Sequence, residues 1–167
     1  MGVPLLPAGI PYLQKTQRKI SAKHSGCIYG FHFQAYFPSE YRPLSSSSIV
    51  IGLGRGIRKR EFVQKALELS RKLGATVGAT RPIVDMGFVP RQQQIGLTGS
   101  SISSKLYINL GVSGQDNHVV GLRYAGNIVS VNIDPEAPIF KYSDYGVIWD
   151  INEFADSFLE YLKERKT

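Results

Sequence analysis

The sequence predicts an α/β fold, a mainly parallel sheet with helices on both faces that makes three layers. Two observations carry this expectation. From Ser48 onward, short apolar runs alternate with amphipathic helical stretches, and that rhythm calls for parallel strands joined by crossovers. The first run, Ile49-Val50-Ile51-Gly52-Leu53, is apolar without polar alternation, as a strand covered on both faces requires.

The elements follow in order. After the strand at Ile49–Leu53 and the turn Gly54-Arg55-Gly56, a helix is expected from about Lys59 to Leu73. Phe62, Ala66, Leu69 and Leu73 form its apolar stripe, and Gly74 is placed to end it. Ala75–Ala79 reads as the second strand, and an irregular stretch rich in Pro, Gln and Gly follows. Leu106–Leu110 is the third strand, Asn117–Tyr124 a short helix, Ile128–Ile133 the fourth strand and Tyr145–Trp149 the fifth. A last helix begins near Asp150 or Ile151. Ile151, Phe154, Phe158 and Tyr161/Leu162 share its inward stripe, with Asp156, Glu160 and Glu164 on the wet face. Ligands of such sheets bind at the carboxyl ends of the strands, which selects the loops after Leu53, Ala79, Leu110, Asn132 and Trp149.

The first 45 residues differ. Prolines at 4, 7, 11, 38 and 43 punctuate them, Ser45–Ser48 makes a polar joint, and Ser25-Gly26 offers a hairpin turn before the strand-forming run Ile28–Phe33. The expected division is therefore an N-terminal extension over residues 1–45 and a nucleotide-binding domain over 46–167.

Composition narrows the function. With 167 residues, 43% hydrophobic and 20% charged, the chain suits one globular domain. No apolar run approaches the roughly 20 residues that span a bilayer, and the opening residues carry no basic leader, so a cytoplasmic protein is expected. One cysteine, Cys27, excludes an internal disulfide, and three scattered histidines argue against a metal site. Residues 1–81 hold 13 Lys/Arg against 3 Asp/Glu, whereas residues 82–167 hold 7 against 10. That asymmetry fits an anionic partner or a solvated basic face. Nucleic acid is disfavoured, since no recognised module or stacking platform is present.

At the strand ends, Gly52-Leu-Gly54-Arg-Gly56 has the spacing GxGxG. It lacks the GxGxxG form and the later acidic residue of a dinucleotide fingerprint. Thr80-Arg81, Gln94-Ile95-Gly96-Leu97-Thr98-Gly99, Ser113-Gly114-Gln115-Asp116-Asn117-His118 and Asn132-Ile-Asp-Pro-Glu-Ala-Pro-Ile-Phe140, then Asp144-Tyr145-Gly146, complete the series. Five such motifs in register over about 120 residues resemble the FAD-binding, Rossmann-like C-terminal domain of electron-transfer flavoprotein alpha subunits.

The resemblance implies FAD as cofactor. It places Arg55, Asn132, Asp150 and Ile151 around the AMP and phosphate half. It places Thr80, Arg81, Ile95, Gly96, Leu97, Thr98, Ser113, Gly114, Gln115, Asp116, Asn117 and His118 around the phosphates, ribityl chain and flavin ring. One-electron reduction puts negative charge on the flavin N1–C2=O edge. Arg81 and an N–H of His118 would favour that charge, and the Thr98 hydroxyl would tune N5. The protein is then an electron carrier rather than a catalyst with its own substrate, so no catalytic residues are expected. Its partner is a beta-like subunit or a second copy. Leu97 stands where the family has Gln, Asn117 likewise, and Asp116 adds a negative charge. The family's own N-terminal domain is expected to be missing.

Plainer roles exist for the same residues. Asp150 is by default a helix N-cap, His118 a satisfied buried histidine, and Arg81 a partner of helix C-terminal carbonyls. Ser113, Asp116 and His118 suggest a hydrolase triad, but there is no nucleophile elbow. A non-redox module that keeps only the AMP half of the site is the alternative function.

Overall fold

A computed structural model of the chain describes residues 41–164. The hairpin expected near Ser25-Gly26 lies outside the described residues. Five strands form one sheet: β1 (Ile49–Leu53), β2 (Thr76–Ala79), β3 (Leu106–Leu110), β4 (Asn127–Asn132) and β5 (Tyr145–Ile148). Their order is β2-β1-β3-β4-β5, and all four pairings are parallel. The order reverses direction between β1 and β3, so the crevice outside their carboxyl ends is where the topology favours a ligand.

The two sheet faces differ in what they can accept. On the first, Ile51, Leu53, Val77, Ala79, Ile108, Leu110 and Val131 join one apolar core with α1 (Glu61–Leu73) and α4 (Ile151–Glu164). Phe62, Val63, Ala66, Leu67 and Leu69 of α1 are buried in it, and large side chains of this kind each contribute about 2 kcal/mol on burial. Gly74 ends α1 in the left-handed region at φ 65°, as expected. In α4, Ile151, Ala155 and Leu159 form the buried centre of the stripe. Phe154, Phe158 and Leu162 flank it partly buried, while Tyr161 is exposed. Lys65 reaches across to Asp156 at 2.7 Å, tying the wet edges of α1 and α4 together.

The second face carries small or polar residues between its apolar ones. Gly52, Gly78 and the buried Asn109 and Ser130 alternate with Val50, Tyr107 and Ile128. A β-carbon on Gly52 would stand 1.9 Å from the Tyr107 hydroxyl, and one on Gly78 would stand 2.5 Å from Ile95. This shallow relief accepts irregular backbone rather than long helices. It is covered by Leu44, the 94–104 segment, α3 (Asp116–Val119) with its continuing 3-10 turn Val120–Leu122, and a 3-10 turn at Pro138–Tyr142. The expected helix at 117–124 is therefore one short turn of α-helix and one of 3-10. The irregular stretch after β2 contains a further short helix, α2 (Arg81–Asp85), with Pro82 in its first turn. At the far edge β5 leaves Tyr145 and Ile148 exposed.

Candidate functional site

The loops after β1 and β3 meet backbone to backbone. Gly54 N–H donates to Leu110 O at 3.0 Å, and Gly56 N–H donates to Gly111 O at 2.9 Å. A β-carbon on Gly54 would lie 2.3 Å from Gly111 O. One on Gly111, whose φ is 66°, would lie 2.7 Å from the Gly56 Cα. Glycine is required here because side chains would drive the loops apart and spoil the strand-end geometry. The seam walls two hollows. Arg55 and Val112 line one, and Gly56 and Gly111 line the other.

The first hollow, a cavity of about 290 Å³, gathers most of the expected residues: Arg55, Thr80, Arg81, Ile95–Thr98, Ser113, Gln115, Asn117 and His118. The second, about 510 Å³, holds Asn132, Asp150 and Ile151. Arg55 thus lines the first hollow, while Asn132, Asp150 and Ile151 line the second. Gly114 and Asp116 line neither hollow. Gly114 packs on the backbone of Ile139, and Asp116 is exposed beside Arg123 and Tyr142. The charge that Asp116 introduces therefore stays outside the first hollow.

Thr80 follows β2 directly, and its hydroxyl is buried without a protein partner. Arg81 opens α2 and lies at its N-terminus. Its Nε approaches Asp85 Oδ2 at 3.4 Å in an exposed i,i+4 pair worth under about 1 kcal/mol, so the guanidinium is held only lightly. Next comes the 94–98 loop. Ile95 N–H donates to Ala79 O at 2.9 Å and Leu97 N–H to Asn117 O at 2.7 Å, pinning the loop to β2 and α3. Gly96, at φ 130°, lets it pass so close to Asn117 O that a β-carbon would lie 2.4 Å away. Leu97 is 63% exposed on the rim.

His118 is buried and its ring is fully engaged. Nδ1 lies 3.2 Å from Ile95 O, and Nε2 lies 2.8 Å from the Tyr107 hydroxyl. A carbonyl only accepts, so Nδ1 carries the proton and Nε2 accepts from the phenol. Burial lowers the imidazole to about 4, against a smaller opposing effect of the Ile95 carbonyl, and raises the Tyr107 phenol well above its usual value. His118 is thus neutral and has no free ring N–H. The role of donor to a flavin carbonyl, expected from the sequence, would require the ring to give up one of these two contacts. Its buried, satisfied state matches the plainer role.

On the other side, Asn132 Nδ2 donates to Val112 O at 2.9 Å, tying the β4 loop to the β3 loop. Asp150 accepts from Asn152 N–H at 2.8 Å and Glu153 N–H at 3.3 Å, so it caps α4. Those contacts, the Asn152 N–H first, hold its carboxyl below the ordinary range. Arg58, Lys59 and Asn152 also line this hollow, and the sequence motifs gave them no site role.

Gln94 was missed as well, though it stands inside a quoted motif. It is 1% exposed and lines the first hollow. Its Nε2 donates to Thr98 Oγ1 at 2.8 Å, while its Oε1 is buried without a partner. A buried polar atom left unpaired costs about 1–3 kcal/mol, and two of them, on Thr80 and Gln94, belong to residues of one cavity. Among the described residues, no group of acidic, histidine or cysteine side chains could hold a metal, and no helix is long and apolar enough to cross a membrane.

Residues 43–123 match the family described as the electron transfer flavoprotein FAD-binding domain. The chain is similar to the mitochondrial electron transfer flavoprotein subunit alpha of Oryza sativa, 42% identical over 128 residues, which is 77% of this chain and 36% of that protein. It is also similar to the electron transfer flavoprotein subunit alpha of Mycobacterium tuberculosis, 45% identical over 118 residues, 71% of this chain and 37% of the relative. For the subunit of Mycobacterium leprae the figures are 42% over 123 residues, 74% and 39%. The chain spans little more than a third of the length of these relatives.

Proposed function

We propose that the chain carries electrons on an FAD laid across the two hollows, since residues 43–123 match the electron transfer flavoprotein FAD-binding domain family. The cofactor of this domain family is FAD. When bound, the flavin supplies reversible uptake and release of one or two electrons. The chain's own residues bind it, orient it and set the polarity around it.

The single observation that carries the reading is the pair of unpartnered buried polar atoms, Thr80 Oγ1 and Gln94 Oε1, on residues of a cavity rimmed by Arg81. A ligand with polar edges supplies the partners the protein withholds. In this reading Asn132, Asp150 and Ile151 face the adenosine side. Thr80, Arg81, Thr98, Ser113, Gln115 and Asn117 face the phosphates, ribityl chain and ring. Arg81 supplies positive charge where electron density rises, and the exposed Leu97 presents an apolar edge.

A module using only the AMP half is not favoured, since Thr80 and Gln94, with their unpartnered atoms, belong to the other hollow. The partner subunit in this proposal is a beta-like subunit or a second copy of the chain. Titration with FAD tests the reading. Bound FAD should add flavin absorbance to the purified protein and raise its Tm well beyond the rise with ADP. Equal stabilisation by FAD, ADP and AMP, or none by FAD, refutes it.

A further inference from the structure

We propose that Gln94 is a positioning residue of the flavin site that commits the Thr98 hydroxyl proton to the cavity; this inference rests on the FAD reading above. A hydroxyl has one proton to give and two lone pairs to offer. Gln94 Nε2 fills one lone pair of Thr98 Oγ1 at 2.8 Å. The Thr98 proton must then point elsewhere. Thr98 is exposed and lines the cavity, and among the described residues no acceptor takes that proton.

Gln94 is held firmly enough to impose this direction. Its N–H donates to Arg91 O at 3.0 Å, and its carbonyl accepts from Ser100 N–H at 2.7 Å. A β-carbon on Gly99 would stand 2.3 Å from that carbonyl, so the chain closes over it. The 94–98 loop is anchored again at Ile95 and Leu97, as described above. Gln94 is almost wholly buried, so water does not compete for its amide. The hydroxyl therefore becomes a preorganised donor without charge of its own. A ligand edge rich in acceptor atoms, such as the isoalloxazine N5 and C4=O, is what a fixed donor suits. Because reduction raises the electron density of that edge, a fixed donor binds the reduced form more strongly and raises the potential.

The test is a double-mutant cycle between Gln94→Leu and Thr98→Val, read by FAD titration and by the midpoint potential of the bound flavin. Each single variant is expected to bind FAD about tenfold more weakly, the scale of one directed hydrogen bond, and to show a lower potential. In the Thr98→Val background, Gln94→Leu has no hydroxyl to orient and should change affinity less than twofold. If Gln94→Leu does not fold, Gln94→Met replaces it in the same cycle. An unchanged potential in the Gln94 variant, or an equal loss with and without the Thr98 hydroxyl, overturns the proposal while leaving FAD binding intact. A wild-type chain that binds no FAD overturns both.

Discussion

The Tyr107 hydroxyl donates to His118 Nε2 at 2.8 Å, and this bond decides what the histidine can do. The phenol is wholly buried, and the opposite ring nitrogen is committed to Ile95 O. His118 thereby acts as a strut that holds the 94–98 loop from behind. Tyr107→Phe should cost about 1–3 kcal/mol in urea denaturation, because Nε2 is left buried without a donor. A cost under about 0.5 kcal/mol would show that the bond does not bear on stability.

Acid should weaken the fold before the carboxylates titrate. His118 falls from an ordinary value of 6.5 to about 4 in the folded chain, so between these values the unfolded chain binds more protons. The stability it protects is fully present above pH 6.5 and is lost as pH falls toward about 4, on the order of 3 kcal/mol in all. Asp150, also held low, contributes above the ordinary carboxylate value and loses that contribution only below it. Denaturation at pH 7 and pH 4.5 should therefore show the drop, and His118→Gln should flatten it.

Two glycines separate backbone strain from collision. Gly74 has φ 65° with nothing within 4 Å of an added β-carbon, so Gly74→Ala should cost about 1 kcal/mol. Gly111 has φ 66° and the Gly56 Cα in its way, so Gly111→Ala should cost about 2–4 kcal/mol. Calorimetry that finds the two equal would remove the steric account of the seam.

Arg81 should matter to the ligand and hardly to the fold. Its pairing with Asp85 is exposed, so Arg81→Ala should shift stability by under about 1 kcal/mol. FAD affinity should fall roughly tenfold, the scale of one charge-assisted contact. Isothermal titration alongside a melting curve checks both halves of this expectation.

Much of the architecture was legible because burial on two faces leaves a plain trace. The apolar run at Ile49–Leu53 and the strand-forming run at Leu106–Leu110 match the observed strands residue for residue. The second sheet face was harder to read. Gly52, Gly78, Asn109 and Ser130 look like weak strand residues in sequence, yet they make the recesses into which loops settle. The helix α2 went unnoticed because five residues are too few to show a period. Of the site, the motifs located the strand-end loops. What they could not convey is direction: which way an amide donates, which nitrogen of His118 holds the proton, and that Asp116 turns outward.

The glycine seam also sets how this site can vary. Its walls are main chain, so exchanging side chains on the floor cannot reshape it gradually; an added carbon meets carbonyl or Cα within 3 Å. Rim positions such as Leu97 are free of that limit, since its side chain stands in the open. Mutational tolerance should therefore be nearly all-or-none along the floor and graded along the rim. A library built on residue 97 can retune the flavin's surroundings, whereas one built on residues 54, 56 or 111 will mostly return unfolded chains.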